Sequence, residues 1–285
     1  VSVTVTMDEA VVVNTTNGTP RIKLGIAGVA AGSEIYAVYD AVATAALNDD
    51  TKTKLVFSYT IAENLTDLGA ISLPANGLEL NSGSIKDLAQ NDANLAHAAV
   101  AADTTYLVDT TASSAVVAAD KILANDKTLT VESSEVGTAY LIRDDLAITK
   151  KADLDTILAD EANNGGKWNS VALSAIPDGG SLYQAGLSLA GLDDGIYKLY
   201  TVDRAGNLSA AAGNTVKVDS TAAKVSSTVL AYEGGIAAED GKTYLNAGDK
   251  VSVTVTMDEA VVVGTANGTP RIKLGIAGVA AGSEI

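Results

Sequence analysis

The heptapeptide VSVTVTM occupies residues 1–7 and occurs again at residues 251–257. Its apolar and polar residues alternate, which is the period-two pattern of a half-buried antiparallel strand. The similarity extends further, because residues 1–35 match residues 251–285 at 33 of 35 positions. The two exceptions are Asn14 against Gly264 and Thr16 against Ala266. The spacing is 251 − 1 = 250 residues, which exceeds one solenoid unit several-fold, so whole domains repeat.

The same alternation recurs along the chain between turn sequences such as Asn-Gly and Asp-Gly. Many short strands at this spacing predict an all-β fold of antiparallel sandwiches. We also expect short helices in loops, at residues 152–162 and in the Ala-rich stretches 37–47 and 87–101. The predicted inward-facing residues are Val1, Val3, Val5, Met7, Ile22, Leu24, Ile26, Leu55, Phe57, Tyr59, Ile61, Leu129, Val131, Val171, Leu173, Tyr200, Val202, Val216 and Val218.

A weaker internal similarity divides the 250-residue repeat, since residues 108–112 (VDTTA) resemble residues 218–222 (VDSTA). We interpret both stretches as linkers. Residues 1–108 are then an A module that lacks its N-terminal portion, residues 109–218 are a B module, and residues 219–285 begin the next A module. Residues 219–250 followed by 1–108 make one complete A module. The expected partners are neighbouring repeats of the same chain, or head-to-tail copies of the molecule joined by strand exchange.

Composition excludes several classes of function. The chain has 19 Lys and Arg against 35 Asp and Glu, a formal net charge of −16, which repels nucleic acids and anionic lipids and favours cations. There is no Cys, so disulfides, zinc-thiolate sites and cysteine nucleophiles are excluded. His97 is the one His. No apolar run reaches the roughly 18 residues of a membrane span. We expect no enzyme activity, no nucleic-acid binding and no membrane insertion.

Four stretches of the A module together resemble the bacterial immunoglobulin-like repeats of giant surface adhesins: VSVTVTMDEAV (251–261), GTPRIKL (268–274), LVFSYTI (55–61) and LNSGSIKD (80–87). In the B module, GIYKLYTVDRAGNLS (195–209) is similar to the closing strands of related repeats, which carry an Asp-x-x-Gly-Asn signature. Gln90-Asn91 stands where that pattern usually has Gly-Asn. The resemblance implies tandem immunoglobulin-like β-sandwich modules, an extracellular location on the bacterial cell surface, and calcium at loops and junctions.

Calcium takes six to eight oxygen ligands from carboxylates, amides and backbone carbonyls, and weak sites are typical of extracellular modules. The acidic residues near predicted strand ends and linkers are the candidate ligands, although the same residues also cap turns and keep a surface soluble. The candidates are Asp8 with Glu9, Asp87 with Asp92 and Asn94, the linker residues Asp109 and Asp219, and the group Asp193, Asp194, Asp203 and Asn207.

These observations favour a structural function, as a spacer or filament-forming segment of a repetitive cell-surface adhesin. Two alternatives stay open. One is a module whose loops bind a carbohydrate or a protein, although the loops offer few aromatic residues of the kind that stack on sugars, only Trp168 and scattered tyrosines such as Tyr183. The other is a surface-layer lattice protein.

Overall fold

The alternating segments form strands, and the predicted all-β architecture is confirmed, with 38% of residues in strands and 7% in helices. The computed structural model describes residues 1–29 and 33–275. The chain divides into two compact units, Val1–Asp219 and Ser220–Ile285. In the part of the chain that the structure describes, no helix has the length and apolar character needed to cross a membrane.

The first sandwich occupies the N-terminal half of unit Val1–Asp219. Its elements are β1 (Ser2–Thr6), β2 (Val11–Asn14), β3 (Arg21–Leu24), β4 (Ile35–Tyr39), α1 (Ala41–Ala46), β5 (Lys54–Ser58), β6 (Thr66–Asp67), β7 (Leu78–Glu79), β8 (Ser84–Asp87) and β9 (Val108–Asp109). One antiparallel sheet has the order β1-β5-β4-β3-β7, and β2 pairs with β8. The core lies between these layers and contains the predicted residues Ile22, Leu24, Leu55 and Phe57.

The second sandwich contains β10 (Ala115–Val116), β11 (Lys121–Leu123), β12 (Thr128–Ser133), β13 (Gly137–Arg143), α2 (Lys151–Ala159), α3 (Glu161–Asn164), β14 (Trp168–Leu173), β15 (Tyr183–Ser188), β16 (Gly195–Asp203) and β17 (Thr215–Val218). One sheet has the order β11-β17-β16-β13-β14 and the other has the order β10-β12-β15. The β11–β17 pair is parallel. Residues from both sheets, including Leu129, Leu141 and Leu199, form the core between them.

Strand β16 is buried on both faces. Tyr197 and Leu199 face the sandwich core, whereas Tyr200 and Val202 pack with Ile142 and Leu154 in a separate cluster. Helix α2 supplies Leu154, and Ile157 of the same helix is also buried, as the sequence predicted. The N-terminus of α2 is stabilised because the Asp153 carboxylate accepts backbone hydrogen bonds from residues 149 and 150 (2.9 and 3.1 Å).

The two Ala-rich stretches differ. In residues 37–47, helix α1 begins where the Asp40 carboxylate accepts a hydrogen bond from the Ala43 amide at 2.9 Å. The prediction of a helix in residues 87–101 is wrong, since the described backbone there is extended or turned. The Ala93 amide donates to the Ile85 carbonyl at 3.0 Å, and Val100 pairs with Leu73. Bonding to other segments thus replaces the i to i−4 bonds of a helix.

Unit Ser220–Ile285 is described through residue 275. It contains β18 (Val225–Glu233), β19 (Ile236–Ala237), β20 (Thr243–Tyr244) and β21 (Lys250–Met257). Strand β18 pairs antiparallel with β21, and β19 with β20. All nine residues of β18 are exposed. The described residues after β21 contain no strand.

Candidate metal centre

The linker between the two sandwiches is hydrogen-bonded to the first of them. Strand β9 pairs with β6 through Thr66 opposite Asp109 and Asp67 opposite Val108. One residue further, the Thr110 amide donates to the Leu65 carbonyl at 2.8 Å, and the Leu65 amide donates to the Thr110 hydroxyl at 2.8 Å. The linker therefore continues the first sandwich as a paired strand.

The second sandwich holds the same linker from the other side. The Asn207 side-chain amide donates to the Asp109 carbonyl at 3.1 Å. The hydroxyls of Ser113 and Thr201 form a buried hydrogen bond of 2.8 Å, which ties the end of the linker to β16. Because both ends are bonded within a few residues, little backbone freedom remains at this junction.

Three carboxylates meet at this junction. Asp109 lies in the linker, Glu135 lies in the turn between β12 and β13, and Asp203 ends β16. One carboxylate oxygen of each lies within 4.8 Å of the others. Asp203 is buried, and the other two are half-buried. Two sequence-predicted residues, Asp109 and Asp203, thus come together with Glu135, which the sequence reasoning did not single out.

The backbone fixes the positions of these side chains. Gly137 lies opposite Asp203 in the β13–β16 register. A Cβ at residue 137 would lie 2.1 Å from the Val202 carbonyl oxygen, so glycine permits the close approach that brings the Glu135 turn to the end of β16. Asp203 is held by Asn207, whose backbone and side-chain amides both donate to its carboxylate at 2.9 Å. Gly206, with φ of +91°, makes this turn possible.

The cluster is electrostatically strained. Burial raises the pKa of Glu135, and the negative charges of Asp109 and Asp203 raise it further. A raised carboxyl pKa means that the folded protein disfavours the ionised form relative to the unfolded chain. At neutral pH the charge of Glu135 consequently opposes folding unless a cation neutralises it.

The donor set fits a hard divalent cation. Three carboxylates supply oxygen ligands, which calcium and magnesium prefer, and the chain has no Cys to form a soft site. A solvent-open groove of about 750 Å³ adjoins the cluster and is lined by Asp109, Glu135 and Arg204 among others. Water can therefore reach the cluster and complete a shell of six to eight oxygens.

The other predicted ligands of the first sandwich lie elsewhere. Asp8 and Glu9 are exposed after β1. The Asp87 carboxylate accepts hydrogen bonds from the backbone and side-chain amides of Asn91 at 2.8 and 2.7 Å. Gln90 precedes Asn91 with φ of +75°, so this tight turn has the same Asp–Asn pairing as the Asp203 turn, although Gln stands in place of Gly.

The neighbours of that turn are engaged with local groups. Asp92 forms an ion pair with Lys86 at 2.6 Å. The Asn94 side-chain oxygen accepts a hydrogen bond from the Ala96 amide at 3.1 Å. These residues act here as turn and strand-end partners.

The predicted group of Asp193, Asp194, Asp203 and Asn207 is divided by β16. Asp193 and Asp194 precede this nine-residue strand, whereas Asp203 is its last residue. At about 3.3 Å per residue, the strand places Asp194 roughly 30 Å from Asp203, so the four do not form one group. Asp193 instead lies 3.8 Å from Arg143. In the second predicted linker, Asp219 forms an ion pair with Lys217 at 2.7 Å.

His97 has a structural environment. Its Nε2 accepts a hydrogen bond from the Gly77 amide at 2.9 Å, and its Nδ1 lies 2.8 Å from the Ala98 carbonyl oxygen. Nε2 therefore joins the turn before β7 to the extended segment that contains His97, and Nδ1 makes a local contact within that segment.

The chain matches no protein-family model, and a search among curated proteins also gives no match. The fold and the acidic junction are thus the observations on which a function can be argued.

Proposed function

We propose that this chain is a segment of a repetitive, extracellular bacterial surface protein in which β-sandwich modules act as a spacer. The observation that carries the proposal is the junction within unit Val1–Asp219. The linker around Asp109 is a paired strand of the first sandwich and is also bonded to Asn207 of the second. A spacer needs such a junction, because a flexible linker would shorten the average reach of the array.

The 250-residue recurrence supports the same function. The longest strand of the second sandwich, β16, has nine residues and, at roughly 3.3 Å per residue, spans about 30 Å. With its end loops a module is then about 30–40 Å long, and two modules advance roughly 70 Å. Each additional 250-residue repeat would then lengthen the array without requiring a new kind of module. Electron microscopy of the intact assembly tests this proposal: a spacer gives beaded threads with that period, whereas flat sheets would favour a lattice protein and overturn it.

A binding module is less well supported. Trp168 packs in the cluster beneath α2, and Tyr183 packs against the core of the second sandwich. These two aromatic side chains are therefore partly occupied with packing, whereas Tyr106, Tyr232 and Tyr244 are exposed. Binding of the chain to a glycan array would favour this alternative.

The second element of the proposal is that a calcium ion stabilises the junction through Asp109, Glu135 and Asp203. A weak extracellular site has a dissociation constant near 10⁻⁴ to 10⁻³ M. Free calcium at ten times that constant would add about 1.4 kcal/mol to the stability of the folded state. For a unit of this size we expect the melting temperature to rise by about 3–6 °C.

Substitution of Glu135 by Gln tests the site directly, because it removes one charge and keeps the shape. The raised pKa of Glu135 gives the sign: stability present below the unfolded pKa is lost as pH rises through the folded pKa. Without calcium at neutral pH, E135Q should therefore raise the melting temperature by about 1–2 °C. Calcium should raise the melting temperature of E135Q by less than it raises that of the wild-type protein. Calorimetry in calcium and in EGTA measures both effects.

Glu161→Gln is the matched control, because Glu161 is an exposed residue of α3. The segment after α3 bonds to Asp193 before β16, whereas the cluster lies at the other end of β16, so this variant removes the same charge away from the cluster. The control should respond to calcium like the wild type. Equal calcium responses of E135Q and the wild type would exclude this site.

A further inference from the structure

Strand β1 is the edge strand of its sheet, which has the order β1-β5-β4-β3-β7. The Val1 carbonyl accepts a hydrogen bond from the Tyr59 amide at 2.9 Å, and the Met7 amide donates to the Thr53 carbonyl at 2.7 Å. The peptide groups of the odd-numbered residues therefore face β5. Those of Ser2, Thr4 and Thr6 face the other edge, with which no strand pairs among the described residues.

The second copy of the heptapeptide uses that other edge. Residues 251–257 are identical to residues 1–7 and pair with β18. The Asp258 amide, equivalent to that of Asp8, donates to the Lys224 carbonyl at 2.9 Å. The peptide groups of the even-numbered residues thus face β18 in the second copy, whereas those of the odd-numbered residues face β5 in the first copy. One strand of this sequence can accept both neighbours at once.

An apolar groove of about 590 Å³ flanks the edge of β1. Val1 and Val3 line it on the strand side. Tyr106 and Leu107 line it too and are exposed. The remaining apolar lining residues are Leu24, Ile61, Ile71, Leu73, Val100 and Val108. An open groove of this character beside an edge strand favours covering by another apolar surface.

The register of the second copy identifies side chains that would cover the groove. Leu230 lies opposite Val253 and Tyr232 lies opposite Val251, and these positions correspond to Val3 and Val1. Directly opposed residues of an antiparallel pair lie on the same face. In unit Ser220–Ile285 both Leu230 and Tyr232 are exposed. On β1, the same register would direct them to the face of Val3 and Val1, where the groove lies.

We propose that strand β18 of a second copy of this chain pairs with the open edge of β1, with Leu230 opposite Val3 and Tyr232 opposite Val1. Strand β18 exchanges β21 for β1, which has the same sequence, so equivalent hydrogen bonds form. The pairing with β1 is favoured because it also removes Leu230, Tyr232 and the groove from water. This pairing requires neither a cation at the junction nor a spacer function, so it stands or falls separately from both.

A disulfide can report this register, because the full chain has no native Cys. Val3 and Leu230 would be a non-hydrogen-bonded pair, with Cα atoms about 4.5 Å apart, which is within the range of a disulfide. The double variant V3C/L230C should therefore form disulfides between chains under mild oxidation. Nonreducing gels and mass spectrometry of the linked peptides identify the product.

The matched control is V3C/V229C. Val229 is 58% exposed and Leu230 is 51% exposed, but the two point to opposite faces of β18. We expect at least a tenfold lower yield from the control. Equal yields from both variants, or a disulfide formed within a single chain, would overturn the proposal.

Proline at equivalent positions of the two copies gives a second test. The Thr4 amide faces the open edge, so Thr4→Pro removes a donor from that edge and no bond to β5. Sedimentation velocity should show self-association weakened at least tenfold. Thr254→Pro should weaken β21–β18 pairing, release β18 and strengthen self-association. Shifts of both variants in the same direction, with circular dichroism unchanged, would contradict strand exchange.

Discussion

The two copies of the 35-residue repeat have nearly the same sequence but different structures. In the first copy, β1, β2 and β3 form, and Ile22 is 1% exposed. In the second, β21 forms, but residues 261–275 contain no strand and Ile272, the equivalent of Ile22, is 51% exposed. An alternating pattern therefore does not suffice to make a strand.

The partners explain the difference. Strand β2 pairs with β8, and β3 pairs with β4 and β7, all of which come from residues 35–87. The described residues of unit Ser220–Ile285 contain no counterparts of these strands, whereas β21 has β18 as a partner. Cross-strand pairs and burial stabilise a strand more than its own residues do.

The largest expected effect is at the buried isoleucine. Ile22→Ala removes methyl and methylene groups from the core of the first sandwich and should cost about 2–5 kcal/mol. Ile272→Ala makes the same change at an exposed site and should cost less than about 0.5 kcal/mol. Urea unfolding monitored by hydrogen exchange measures both costs, with peptides from β3 and β5 for Ile22→Ala and peptides from β18 and β21 for Ile272→Ala.

A small effect at both sites would mean that β3 does not bury Ile22. A large effect of Ile272→Ala would mean that the second copy is packed against a core in solution. Either result would remove the contrast between the copies.

Most strands and their inward faces could be predicted from alternation, because one side of each sheet covers a core. Strand β16 is an exception, since it is buried on both faces and the predicted inward residues Tyr200 and Val202 pack outside the sandwich core. Ile22, Leu24, Leu55 and Phe57 lie in the first core as expected. Residues 87–101 could not be predicted in this way. Their Ala content favours helix, but hydrogen bonds to Ile85 and Leu73, which are tertiary contacts, hold the backbone extended.

The junction was only partly predictable for a related reason. Asp109 and Asp203 were recognisable as acids at a linker and a strand end. Glu135 joins them because Gly137 lies opposite Asp203 in the β13–β16 register, which local sequence does not specify. The tight glycine contact at residue 137 is the one signal that, once the pairing is known, identifies this turn as part of the site.

A smaller difference between the two copies is expected at Arg21 and Arg271, which precede Ile22 and Ile272. The Arg21 guanidinium donates to the Glu79 carboxylate at 2.9 and 3.0 Å and lies 3.8 Å from the centre of the Tyr36 ring. The pair is partly exposed, so Arg21→Met should cost about 1 kcal/mol. Arg271→Met, at the equivalent position, should leave the unfolding midpoint of the first sandwich unchanged. An Arg21→Met cost above about 3 kcal/mol would indicate a buried ion pair instead.

The smallest expected effect tests whether the two sequence differences decide the two structures. In the first copy, the Asn14 side-chain oxygen accepts a hydrogen bond from the Thr16 amide at 2.9 Å, which stabilises the turn after β2. The variant N14G/T16A makes both copies identical and loses this bond. We expect a cost of about 0.5–1 kcal/mol.

Strands β2 and β3 should persist in N14G/T16A, because the residues that pair with them are unchanged. Hydrogen exchange of peptides covering residues 11–24 should keep its protection, and the reverse variant G264N/A266T should gain none at residues 261–274. If N14G/T16A instead lost protection throughout β2 and β3, a single turn would control the fold of this segment, and the partner strands would be a consequence of that turn. Retained protection would place the cause in residues 35–87, since identical segments would then differ only in what they pair with.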